Sequence, residues 1–113
     1  LMLCNSSYPS LDEELDLNAM ETLREEYSEA IIGYSGHEMD ILPSITAYAM
    51  GAQVIERHIT LDRDDWGTDQ AASLEPDQLK ELITSMKRIN IIKGKNKIIV
   101  YPAEEIAKKK LRR

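Results

Sequence analysis

Apolar residues in this chain fall into two kinds of stretch, and the two kinds alternate. Residues 1–6, 30–35 and 54–60 are short, largely apolar runs rich in Leu, Ile and Val, which read as buried parallel strands. Between the first two runs, Leu15, Ala19, Leu23 and Tyr27 recur at helical spacing and predict a helix over 15–27. A second, mostly apolar helix is predicted over 41–50, stopped by Gly51. A polar loop spans 61–74, and Pro76 then opens a long helix with Leu79, Leu82, Ile83, Met86 and Ile89 on one face. Ser73 is its predicted cap, Glu75 and Asp77 suit its positive N-terminus, and Gly94 ends it. Residues 98–101 predict a short extended piece, and 103–112 a last turn or two of helix.

Strands that alternate with helices pair in parallel through crossover connections. Closing a barrel from such units takes eight, and this chain has three. As an open sheet they leave two edges and one apolar face bare. The pattern therefore predicts an α/β fold that is a piece of a larger architecture.

Composition narrows the classes. The 113 residues suit one domain, and 42% hydrophobic content is enough for a core. No run approaches the ~20 apolar residues of a membrane span. The start, Leu1-Met2-Leu3-Cys4, is too short for a secretory segment and reads as the interior of a longer protein. Cys4 is the single cysteine, so an internal disulfide is excluded and a reducing, cytoplasmic setting is expected. Cys4 itself is expected to pack as a small hydrophobe.

The net charge of −6 conceals a division: residues 1–79 hold 3 basic and 17 acidic side chains, residues 80–113 hold 11 and 3. The closing run from Lys108 to Arg113 lacks interleaved aromatics for stacking on bases, which argues against nucleic acid. Cations favoured at a helix C-terminus explain it more simply.

The candidate chemistry is a pair of histidines, His37 and His58, the only two in the chain. Each closes an apolar run, and in barrels the carboxyl ends of strands carry the chemistry. Two imidazoles delivered from neighbouring strands can ligate one divalent metal. A lone histidine after a strand is more often structural; the matched placement of two is what raises the metal reading. Ser35 lies two residues before His37 and Glu56 two before His58, so alternation points each to its histidine's side. A carboxylate on that side is costly to bury unless paired or functional. Arg57 points the opposite way, toward the helical layer.

Four segments then carry a resemblance: Cys4-Asn5-Ser6-Ser7-Tyr8-Pro9, Gly33-Tyr34-Ser35-Gly36-His37-Glu38, Gly51 through Asp62 with Glu56-Arg57-His58-Ile59-Thr60 at its centre, and Trp66 through Pro76. In this order and with these gaps they resemble the sialic acid synthase, or NeuB-like, family over nearly the whole chain. The resemblance implies a TIM barrel followed by an antifreeze-like domain, with residues 1–113 forming about the last three βα units. The N-terminal barrel half and the antifreeze-like domain are then absent.

It further implies condensation of phosphoenolpyruvate (PEP) with an N-acetylated aldose such as N-acetylmannosamine. His37 and His58 are implied as both catalytic groups and metal ligands, to Mn2+ or else Mg2+ or Co2+. Ser6 and Ser35 correspond to residues that hold PEP, Tyr8 to a sugar contact, Asp69 to an acceptor of sugar hydroxyls, and Glu56 to a group steering protons or water. A homodimer partner and the missing barrel portion complete the expected site.

Two departures stand out. Gln70 replaces a histidine found in several members, and no lysine precedes Lys80 to bind phosphate. A non-catalytic truncated barrel acting at most as an assembly or binding module is the alternative. A metal-dependent hydrolase is remoter, because no H-E-x-x-H motif is present.

Overall fold

A computed structural model describes residues 1–112, and Arg113 lies outside the described residues. The three apolar runs form β1 (Met2–Cys4), β2 (Gly33–Gly36) and β3 (Val54–Arg57). They make one sheet in the order β1-β2-β3, parallel at both pairings. Helices α1 (Ala19–Glu26) and α2 (Leu42–Ala49) connect them, and α3 (Pro76–Lys93) and α4 (Pro102–Leu111) follow. No helix among the described residues is long and apolar enough to cross a membrane.

Register sorts the side chains into two faces, because successive residues of a strand point to opposite sides. Leu3, Tyr34 and Ile55 stand abreast. All three join the core under α1 and α2, with Met20, Ile32, Ala47 and Ala52 at its centre. The opposite face carries the rows Met2, Gly33, Val54 and Cys4, Ser35, Glu56. Met2, Cys4, Val54 and Glu56 are exposed there, so the bare apolar face expected from three strands is present.

Several expected elements differ in extent. The helix predicted over 15–27 is shortened: α1 starts only at Ala19, and a separate turn of 3-10 helix lies upstream at Asp12–Glu14. Asp16 lies between them at φ 43°, a conformation aspartate tolerates better than most residues and one no helix continues through. The third strand ends at Arg57 rather than Thr60. Beyond it Ile59 pairs only with Leu74, so the chain of 61–74 loops out and returns beside its own start. Ser73 does not cap α3. Its hydroxyl donates to the Asp69 carbonyl (2.7 Å), Glu75 is the residue at the cap, and the Gln78 side chain accepts from the Glu75 N–H. Residues 98–101 pair with no strand among the described residues, and 91–112 are exposed throughout.

Gly33 sits where β1 and β3 close on β2. A Cβ there would lie 2.5 Å from the Met2 sulfur and 2.7 Å from the Val54 carbonyl oxygen. Gly33→Ala is expected to cost about 1–3 kcal/mol through this crowding. A lower urea midpoint checks it, and an unchanged one would mean that the sheet opens there freely.

Candidate active site at the carboxyl ends of the strands

Each histidine follows its strand directly, on the bare face of the sheet. His37 is 4% exposed, and its Nδ1 lies 2.7 Å from the Asn5 carbonyl oxygen. A carbonyl only accepts, so Nδ1 is the donor, and in the neutral ring Nε2 is the nitrogen that keeps its lone pair. The His58 ring lies with its centroid 5.2 Å from that of His37. Tyr8 leans on both, 4.1 Å from the His37 centroid and 5.9 Å, edge on, from that of His58. The loop bearing Tyr8 is shaped by Asn5, whose side-chain oxygen accepts from the Ser7 N–H while its amide donates to the Glu14 carbonyl.

One row back, the Ser35 hydroxyl donates to the Glu56 carboxylate at 2.7 Å. Glu56 is exposed, so it is not the buried carboxylate that its position suggests, and Ser35 fixes its direction. Cys4 is exposed rather than packed; its sulfur stands 3.9 Å from His37 Nδ1. It is a half-open neighbour of the site because β1 is an edge strand without a covering layer.

The other expected residues are less tied in. Ser6 is exposed just past β1, and Asp69 is exposed in the 61–74 loop, where it precedes the 3-10 turn Gln70–Ala72. Neither touches the histidine–Tyr8 cluster or the Ser35–Glu56 pair among the described residues. Gln70 donates to the Trp66 carbonyl, a bond within its own loop. Among the described residues, no group of three or more His, Cys, Asp or Glu is placed to hold a metal ion. The two imidazoles are the nitrogen donors that the strand ends bring together.

Beneath the site, on the core side, lies a charged network that the motif reading did not single out. Glu38 is 2% exposed and accepts from the Tyr34 hydroxyl (2.9 Å), the Ser44 hydroxyl (2.6 Å) and Arg57 Nη1 (3.1 Å). Burial, then the adjacent Glu38 carboxylate, holds the Tyr34 phenol well above its usual range, so it stays a donor. Burial also draws Arg57 below its ordinary value, against the opposing pull of Glu38. The signal available in the sequence was parity: Tyr34, Gly36 and Glu38 share one side of β2 and its extension, and Arg57 faces the same way. An inward arginine needs a buried partner.

A model of the NeuB family matches residues 1–98. N-acetylneuraminate-9-phosphate synthase of Homo sapiens is 40% identical over 108 residues, which cover 96% of this chain and 30% of that protein. N,N'-diacetyllegionaminic acid synthase of Campylobacter jejuni is 42% identical over 94 residues, 83% of this chain and 28% of that one. Among solved structures, N-acetylneuraminic acid synthetase from Leptospira borgpetersenii superposes with a TM-score of 0.80 at 37% identity, covering 98% of this chain and 39% of that one. The chain thus spans about a third of the length of such relatives. With the motifs in order, the parallel sheet superposed and both histidines at strand ends, this chain belongs to the NeuB family.

Proposed function

We propose that this chain is a segment of a PEP-dependent synthase, condensing PEP with an N-acetylated aldose such as N-acetylmannosamine to give a sialic acid or a related nonulosonic acid. The segment corresponds to about the last three βα units of a TIM barrel, and catalysis requires the remaining units. The observation that carries the reading is the aromatic cluster of His37, His58 and Tyr8 on the bare face of the sheet. It stands at the strand ends, where parallel α/β folds place their chemistry.

The donor set suits a divalent cation. His37 presents a free Nε2, and a second imidazole is within reach of the same ion. Two imidazoles with other positions open fit Mn2+ or Co2+ better than Mg2+, which demands oxygen ligands. Bound there, the ion would supply Lewis acidity toward a carbonyl oxygen.

The protein's own groups supply the rest. The Asn5 carbonyl fixes the His37 tautomer. Ser35 orients the Glu56 carboxylate on the same face, as an acceptor for a proton from water or from a reacting hydroxyl. Tyr8, with one side against the imidazoles and half its surface open, offers a platform for a sugar ring. Ser6 and Asp69 are assigned to PEP and to sugar hydroxyls on the family pattern. The PEP-binding lysines and the partner subunit's contribution lie outside this chain.

A chimera tests the proposal: residues 1–113 replace the matching segment of the Leptospira borgpetersenii synthetase. Manganese-dependent product formation from PEP and N-acetylmannosamine is the expected result. A chimera that folds and binds metal yet forms no product would reject it. That result would favour the reading of the chain as a non-catalytic assembly module.

A further inference from the structure

The backbone ladder between β2 and β3 ends at the pair Gly36–Arg57, and the two histidines begin one residue beyond it. Past that point the backbones of the two histidines are pinned to different loops. The His37 carbonyl accepts from the Ser10 N–H (2.9 Å), and the His58 carbonyl from the Leu74 N–H (2.8 Å). A side-chain bridge spans the gap between the strand extensions. Arg57 donates through Nη1 to the Glu38 carboxylate and to the Asp40 carbonyl (2.7 Å), and through Nη2 to the Glu38 carbonyl (2.5 Å). Nη2 also points at the Ala72 carbonyl (3.4 Å), in the 3-10 turn just before Leu74.

One guanidinium therefore ties the residue after His37, the residue before His58 and the segment that holds the His58 carbonyl. The room for it is made by Gly36. A Cβ at that position would lie 2.5 and 2.7 Å from the Glu38 carboxylate oxygens and 2.8 Å from Arg57 Cδ. Both charged side chains are 2% exposed, so water does not loosen the bridge.

We propose that Arg57 and Glu38 are positioning residues, whose buried pair sets the separation and facing of the His37 and His58 rings and through it the affinity of the pair for a divalent cation. The functional part of this inference rests on the metal reading above. The geometric part does not. A planar fork that serves several acceptors at once is what lysine cannot reproduce. Groups behind metal ligands typically change affinity by about 10–100-fold when removed.

The test uses the 113-residue chain, in which the two imidazoles are the only histidine resonances. Ring-to-ring and Tyr8-to-ring nuclear Overhauser contacts are measured without metal in wild type, Arg57→Lys and Glu38→Gln. Mn2+ is then titrated, with paramagnetic broadening of both rings as the readout. The expected result is loss of the ring contacts in both variants with the sheet's amide pattern retained, and Mn2+ affinity weakened about 10–100-fold.

Retention of the ring contacts in both folded variants would overturn the inference. So would unfolding of both, since the pair would then serve the fold at large. If wild-type rings touch but Mn2+ broadens neither, the metal reading fails by itself, and the variants' ring contacts still decide the geometric claim.

Discussion

His37→Ala and His58→Ala are each expected to weaken divalent-metal binding by more than about 100-fold, beyond the usual loss from a group behind a ligand, while leaving the sheet in place. The physical case is the lack of redundancy. Among the described residues no third His, Cys, Asp or Glu joins the pair in a metal-sized cluster, so losing one imidazole leaves a single protein ligand. Neither side chain supports the core. The core cluster of Met20, Ile32, Tyr34, Ala47 and Ala52 lies on the far side of the sheet, and both histidines follow the last ladder pair. In the synthetase chimera the same substitutions should abolish manganese-dependent condensation, with circular dichroism unchanged. Asn5 contributes a backbone carbonyl, so its substitution should matter far less than loss of the ring it orients. Near-normal Mn2+ affinity and turnover in His37→Ala would remove the ground for reading the pair as ligands.

Much of the fold was legible because local pattern and tertiary demand agree. The three apolar runs became the three strands, and counting them predicted a sheet with one face uncovered, where Met2 and Val54 are indeed exposed. The failures came where a backbone turn overrode periodicity. Leu15 and Leu23 keep helical spacing, yet Asp16 takes a left-handed conformation, and the helix starts only at Ala19. Ile59 looked like strand by composition, but the partner it needed was Leu74, fifteen positions on, which local pattern cannot reveal.

At the site, the spacing of two residues put Ser35 beside Glu56's row and both histidines on one face, as alternation requires. Tyr8 against both imidazoles depends on how the loop after β1 folds back, and no spacing rule gives that. Glu38 went unremarked because it lies between a histidine and an exposed loop, where charged residues are usually solvated. Its burial follows from Arg57, which strand alternation points inward and which needs a counter-charge there.

Glu38→Ala is expected to cost about 3–5 kcal/mol, the usual consequence of stranding one member of a buried ion pair. The Arg57 side chain is 2% exposed, and its Nε already lacks a hydrogen-bond partner among the described residues. Removing the carboxylate leaves a cation facing carbonyl dipoles and the Ser44 hydroxyl oxygen, and it also takes the acceptor from the Tyr34 and Ser44 hydroxyls. An unsatisfied buried hydroxyl costs about 1–3 kcal/mol, although losses within one network do not add. Small domains have about 5–15 kcal/mol in hand, so this change should remove a large share of the chain's stability while leaving the sheet folded in water. Urea denaturation followed by circular dichroism checks it. The double variant Glu38→Met with Arg57→Met separates charge from shape: with both charges gone, much of the stability should return, as apolar replacements of buried pairs generally allow. A Glu38→Ala variant within about 1 kcal/mol of wild type would sit in the range of an exposed pair, which means that the Arg57 guanidinium finds water when its partner is gone, and that the bridge between the two strand ends is far softer than its burial implies.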